Sequence, residues 1–259
     1  MDLFDCHVHL GQTDSGELYY GHLRGEEYLD LMKDAGVSQA LVFPPYLRQG
    51  YRDANLELAQ FCEGQAGLRA MARVGGKGVV LPEYQSWLVR KNIRRLILPK
   101  PVDVNEDELD KFAGIKLLPL MDGMPSGRFF DAANSRNLPF LIHGGKFTNA
   151  GWIAKNVLPK VQGNLVIAHL GAFPGIPDLI AEAINLAKNE PRVYLDTSGI
   201  WRTDLVKEAI EAVPEKIMFG SDCPLTHPRA AWEAVQAVVP DTGLQRRIGY
   251  ELAAEVFGV

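Results

Sequence analysis

Several common signatures are missing from this chain, and each absence removes a class of function. Cysteine is scarce: Cys6, Cys62 and Cys223 are the only three, and no two of them form a Cys-x-x-Cys pair. An odd, scattered set builds neither a disulfide framework nor a thiolate metal knuckle, and a reduced, cytoplasmic setting is expected. No apolar run is long enough to cross a bilayer. The first apolar segment starts within a few residues of Met1, which leaves no room for a secretion signal before it. No long basic run occurs, and the net charge is −5 with a pI near 5.7, so neither nucleic acid nor a membrane surface is the expected partner. The chain has no Gly-x-Gly-x-x-Gly, no Gly-x-Ser-x-Gly and no phosphate loop. Gly75-Gly76-Lys77-Gly78 is too short for one, lacks the trailing Ser or Thr, and reads as a turn. Repeats, linkers and low-complexity segments are also missing.

The composition itself is that of an ordinary globular protein: 259 residues, 47% hydrophobic and 23% charged. That is enough apolar material for one sizeable core, and a single domain over residues 1–259 is expected. Short apolar runs alternate with amphipathic helical stretches. Strands are predicted at Leu3–His9, Gln39–Pro44, Leu68–Val74, Gly114–Pro119, Pro139–His143, Leu165–His169, Arg192–Asp196 and Lys216–Gly220. Helices are predicted at Glu26–Ala35 (closed by Gly36), Asp53–Glu63 (capped by Asp53), Pro82–Asn92, Phe129–Arg136, Trp152–Lys160, Ile176–Lys188, Asp204–Val213, Pro228–Val239 and Leu244–Phe257. Runs such as Phe140-Leu-Ile and Ile217-Met-Phe are apolar throughout, as strands buried on both faces must be. Eight strands, each followed by a helix, predict an α/β fold of the (β/α)8 TIM-barrel type.

The chemistry-bearing residues follow the same rhythm. In Asp5-Cys6-His7-Val8-His9, alternation along a strand places Asp5, His7 and His9 on one face, where two imidazoles can chelate a divalent metal. His143 ends the fifth predicted strand, His169 the sixth, and Asp222 follows the eighth. Four of the six histidines therefore stand at strand ends. A closed barrel gathers its strand ends around one mouth, so the fold and the site are predicted together.

Five segments carry a family resemblance: Asp5-Cys6-His7-Val8-His9, Gly114-Ile115-Lys116-Leu117, Leu141-Ile142-His143, Ile167-Ala168-His169 and Gly220-Ser221-Asp222-Cys223-Pro224. Across nearly its whole length the chain resembles the amidohydrolase superfamily, and within it the amidohydrolase-related branch that holds both hydrolases and non-oxidative decarboxylases. The resemblance implies one divalent ion, zinc first with Mn2+ or Fe2+ as alternatives, held by His7, His9, His143 and Asp222. It implies metal-dependent hydrolysis of a small, carboxylated molecule, or decarboxylation on the same site, with Asp222 and His169 handling protons. Some superfamily members carry a carboxylated lysine that bridges two metals near the place of Lys116. In the branch resembled here the site usually holds one metal, so Lys116 is expected to stay uncarboxylated and to pair or bind substrate.

Arg48, Arg52, Arg73 and Arg202 are near predicted loops, and of these Arg73 and Arg202 join Lys116 as candidates for a substrate carboxylate. Asp5 is expected to form a buried ion pair with Lys116. Trp201 is a candidate pocket wall, His227 a helix-start residue, and neither Cys6 nor Cys223 is expected to be a nucleophile. The partner expected is a small-molecule substrate, with a homodimer left open.

Overall fold

The structure is a computed structural model, and it describes residues 1–13, 22–47, 50–76 and 104–258. The helix predicted at Pro82–Asn92 and Arg48 lie outside the described residues. The strands are β1 (Leu3–His9), β2 (Val37–Phe43), β3 (Leu68–Ala70), β4 (Ala72–Val74), β5 (Ile115–Leu117), β6 (Phe140–Ile142), β7 (Leu165–Ile167), β8 (Val193–Asp196) and β9 (Ile217–Met218). Every ladder is parallel, in the orders β1-β2-β3 and β4 through β9.

β3 and β4 are two halves of the strand predicted at Leu68–Val74. At Met71 the segment changes partners: the Met71 amide donates to Val42 (2.8 Å), and the Ala72 amide donates to Gly114 (2.9 Å). The other end of the sheet returns to its beginning. Cys6 N donates to Phe219 O (3.1 Å), Asp222 N to His7 O (2.9 Å) and His9 N to Cys223 O (2.8 Å), with Val8 bridging Cys223 in parallel. These bonds close the ring, and the fold is the expected (β/α)8 barrel.

Two apolar layers follow from the alternation of side chains. Phe4, Cys6, Leu41, Phe43, Met71, Leu141, Val166, Ala168 and Met218 fill the barrel. Their neighbours along the strands, such as Val8, Ala40, Val42, Ile115, Ile142 and Ile167, pack outward against the helices. Leu252, Ala253, Val256 and Phe257 belong to the inner layer, so the helix Leu252–Phe257 stoppers one end of the barrel. The opposite end, where the strands finish, is left for chemistry.

Helix limits show what decides them. α1 (Gly25–Ala35) starts with Glu27 Oε2 accepting from the Arg24 amide (3.0 Å), buries Tyr28 and Met32 four residues apart, and stops at Gly36 with φ 75°. α2 (Arg52–Glu63) begins one residue earlier than predicted. Its cap position is Tyr51, and Asp53 lies in the first turn, where its charge favours the helix dipole without capping it. The long helix predicted at Leu244–Phe257 is divided by a π turn over Arg247–Glu251. There Gly249 lies so close to Trp232 that a Cβ would stand 2.9 Å from its ring. No described helix is long and apolar enough to cross a membrane.

Candidate metal centre

β1 departs from the expected alternation. Asp5 pairs with Ala40 and Val8 with Val42, so three steps on β1 match two on β2, which is a β-bulge. The extra residue puts Asp5 and His7 on opposite faces. Asp5 looks outward: its carboxylate accepts from Ser221 N (2.9 Å), Ser221 Oγ (2.6 Å) and Tyr28 OH (3.2 Å). The expected ion pair with Lys116 is therefore not formed. Asp5 instead ties β1 to α1 and to the turn that carries Asp222. Burial pushes its pKa up to about 6 against the pull of the Ser221 bonds.

His7 and His9 look inward, with the Phe43 ring edge-on to both at centroid distances of 5.1 and 4.7 Å. Nδ1 of His7 is 2.9 Å from Oδ2 of buried Asp196, so Nδ1 carries the proton and Nε2 keeps its lone pair. That Nε2 lies 3.4 Å from Asp222 Oδ1, and Nε2 of His9 lies 3.2 Å from the same oxygen. Asp222 follows β9 in the left-handed region, with φ 64°, and is fully buried. Neither of its carboxylate oxygens accepts a hydrogen bond. Burial holds the Asp222 pKa well above the usual carboxylate range and those of His7 and His9 well below that of free imidazole. Two neutral imidazoles and a donor-starved carboxylate, their ligating atoms all within 4.8 Å of one another, suit a divalent cation.

The other two predicted residues form a pair beside this group. His143 follows β6 and is half-buried; its Nδ1 is 3.0 Å from Nε2 of His169. His169 opens a short turn after β7 with φ 61°. Its amide donates to Asp196 Oδ1 (2.9 Å) and its Nδ1 lies 2.9 Å from the Ser198 carbonyl, to which it must donate. Nε2 of His169 therefore accepts from Nδ1 of His143, and Nε2 of His143 keeps its lone pair. Burial pulls the His169 pKa down to about 4, with Asp196 opposing. His143 stands next to the group of His7, His9 and Asp222 but is not within it.

Asp196 and Ser198 are the residues that sequence reasoning missed. One Asp196 carboxylate orients His7 and the His169 backbone, and it also accepts from the Ser198 amide (3.0 Å) and hydroxyl. Its only signal was an acidic residue at the end of a strand, in Asp196-Thr-Ser-Gly. A second triad of His7, His169 and Asp196 is equally compact, but hydrogen bonds already account for it.

Lys116 is buried on β5, with Nζ 3.2 Å from Nε2 of His7 and 4.6 Å from the centre of the Phe43 ring. Burial lowers its pKa to about 7, while Asp196 and Asp222 oppose the fall. Arg73 pairs with Lys116 across the β4–β5 ladder. Its guanidinium donates from Nε to Asp122 Oδ2 (2.9 Å) and from Nη1 to Pro44 O (3.2 Å). Asn55 grips its backbone from both sides, and Tyr51 donates to Asp122 (2.6 Å). Arg202 lies away from this cluster: it is exposed at the start of the helix Thr203–Ala212 and paired with Asp204. Trp201 is 57% exposed and donates to Thr226 Oγ1 (3.1 Å). His227 caps a helix by accepting from the Arg229 amide. All three cysteines are buried, and burial raises their thiol pKa values.

The profile of the amidohydrolase family matches residues 4–259. The chain belongs to the amidohydrolase family. Among solved structures, the chain is similar to an Acinetobacter baumannii protein named as a probable 2-pyrone-4,6-dicarboxylic acid hydrolase, with citric acid bound. The two share 17% identity and a TM-score of 0.67 over 100% of both chains. It is also similar to a 2,6-dihydroxybenzoate decarboxylase from Rhizobium, at 16% identity and a TM-score of 0.62 over 100% of this chain and 99% of the other. An amidohydrolase from Burkholderia multivorans with bound zinc shares 12% identity and a TM-score of 0.67 over 100% of both. At such identities the likeness is one of fold. No curated protein matches the chain by sequence.

Proposed function

We propose that this member of the amidohydrolase family is a metal-dependent hydrolase of a small, carboxylated molecule, cleaving a C–O or C–N bond with water. The observation that carries the reading is the convergence of His7 Nε2, His9 Nε2 and an Asp222 carboxylate that no donor satisfies. Those three residues would hold one divalent ion, most simply zinc, with His143 adjoining as the fourth ligand and Lys116 uncarboxylated. When bound, such an ion supplies a Lewis acid that polarises a carbonyl and makes water easier to deprotonate. The chain's own residues do the rest. Asp222 accepts the proton of the attacking water. His169, fixed through Nδ1 by Ser198 and through its amide by Asp196, presents the Nε2 lone pair; it takes the water's proton from Asp222 there, in place of its bond from His143, and hands that proton to the leaving atom. Lys116 and Arg73, neighbours across the β4–β5 ladder, are the candidates to take a substrate carboxylate, and Arg202, which follows β8, is the third. The dicarboxylic acid in the Acinetobacter relative's name and the citric acid bound to it support that choice of substrate class.

Metal analysis and a product assay test the proposal together. The purified protein should carry one equivalent of a divalent metal, lose activity to a chelator and regain it with zinc. A panel of carboxylated lactones, esters and amides should give net addition of water without gas release. Release of CO2 from a carboxylated aromatic, with no hydrolysis, would replace hydrolase by the decarboxylase reading that the Rhizobium relative's name supports. Full turnover in metal-free protein would overturn both.

A further inference from the structure

We infer that Lys116 is a built-in counter-cation that competes with the divalent ion for Nε2 of His7. The inference rests on the metal-site reading above and adds to it what holds the site when no ion is present. Its first support is the tautomer of His7. Asp196 fixes the proton on Nδ1, at 2.9 Å, so Nε2 offers a single lone pair. Its second is the position of Lys116, whose Nζ lies 3.2 Å from that lone pair. Among the described residues, Nε2 of His7 is the one atom to which Nζ of Lys116 is hydrogen-bonded. Its third is burial. Lys116 is 1% exposed and its Nζ lies 4.6 Å from the centre of the Phe43 ring, so the amine cannot turn to water for other partners.

A buried ammonium requires negative charge nearby, and the site supplies Asp222 and Asp196. Asp222 in turn has no hydrogen-bond donor on either oxygen. Lys116 therefore balances the charge of this pocket and occupies the His7 lone pair at the same time. One lone pair cannot accept a proton donor and bind a metal together. Entry of an ion must break the Lys116–His7 bond, and it sets a second positive charge beside the first in a water-poor pocket. The exchange makes the ion weaker-bound and more easily withdrawn than its ligand set alone would make it.

The experiment is a zinc titration against a competing chelator on metal-stripped wild-type, Lys116→Met and His7→Ala proteins, with matching titrations in Co2+ followed by its visible absorption. Methionine keeps the unbranched stem, one atom shorter, and removes the charge. Lys116→Met should bind zinc roughly 10- to 100-fold more tightly than wild type, the scale on which neighbours of metal ligands move affinity. His7→Ala should lose the site. Equal or weaker zinc binding by Lys116→Met, with wild type binding normally, would overturn the competition and leave the metal site intact. No zinc binding by wild type or Lys116→Met would overturn the metal reading and the competition with it. Should Lys116→Met fail to fold, wild type labelled with 15N at lysine Nζ decides. One buried amine resonance should be visible without metal and shift on adding zinc; an unshifted resonance overturns the inference.

Discussion

Removing the guanidinium of Arg73 should be among the most damaging single changes away from the ligands. Arg73 and Asp122 are 1% and 0% exposed, and their Nε–Oδ2 contact is 2.9 Å. Deleting one partner of such a pair leaves a buried charge and typically costs ~3–5 kcal/mol. Tyr51 still donates to the stranded carboxylate at 2.6 Å, which puts Arg73→Met at the lower end, about 3 kcal/mol. At roughly 2 °C per kcal/mol for a chain of this size, Tm should fall by about 6 °C. Removing the whole polar group tests the cause. Arg73→Met with Asp122→Leu and Tyr51→Phe strands neither charge nor hydroxyl, and it should return to within about 2 kcal/mol of wild type. Urea unfolding in the presence of a chelator is the assay, since bound metal would add its own stabilisation. A loss below about 1 kcal/mol in Arg73→Met would mean that water or another group already solvates Asp122, and the reasoning would fail.

Other expectations concern the site and the alkaline limb of stability. His169→Asn should keep the metal and lose roughly 10²–10⁴-fold in kcat, whereas His7→Ala should lose metal and activity together; full kcat in His169→Asn would remove it from the mechanism. Gly199 has φ 61°, and a Cβ there would stand 2.9 Å from Asp222 Oδ2 and 3.2 Å from His169 Nδ1. Gly199→Ala should therefore cost only about 1–2 kcal/mol of stability but at least about tenfold in zinc affinity, read by chelator competition. The Cys62 thiol is pushed from 9.0 up to about 12 by burial. Above the unfolded value the unfolded chain gives up this proton while the folded chain keeps it, so stability falls as pH rises through that window. Cys62→Ala should remove up to about 1.4 kcal/mol per pH unit of that fall in urea titrations between about pH 9 and 12; an unchanged slope would contradict it.

Much of this was legible in the amino-acid order, for stated reasons. Apolar runs with period-two or fully buried character marked every strand of the ring, because a parallel barrel buries both faces. Histidines at strand ends were informative because a barrel converts such positions into neighbours. What stayed hidden depends on pairing. The bulge in β1 exists only relative to β2, so Asp5 was assigned to the wrong face. Asp122 is 49 positions from Arg73, and nothing local connects them. Asp196 resembled any acidic strand end until His7 and His169 were seen to share it. Tyr51 stands at the cap position of α2 in place of Asp53, and its ring and hydroxyl meet the buried Arg73–Asp122 pair, a contact that nothing near Tyr51 in the sequence announces.

The seam between β1 and β9 also has a bearing on when the site can exist. The residues it joins are among the most distant in the chain; the Asp5–Ser221 bonds span 216 positions. Bringing such remote segments together carries a large loop-closure entropy and belongs late in folding. His7 and His9 stand on one side of the seam and Asp222 on the other. A nascent chain emerging from the ribosome would have both histidines outside long before their carboxylate is made. Partly folded intermediates would thus present a lone His-x-His to the cell's metal pool, and selective capture would wait for the last stave to dock. Any ion then bound would act as a clasp across the join, opposing the unzipping that would otherwise begin there.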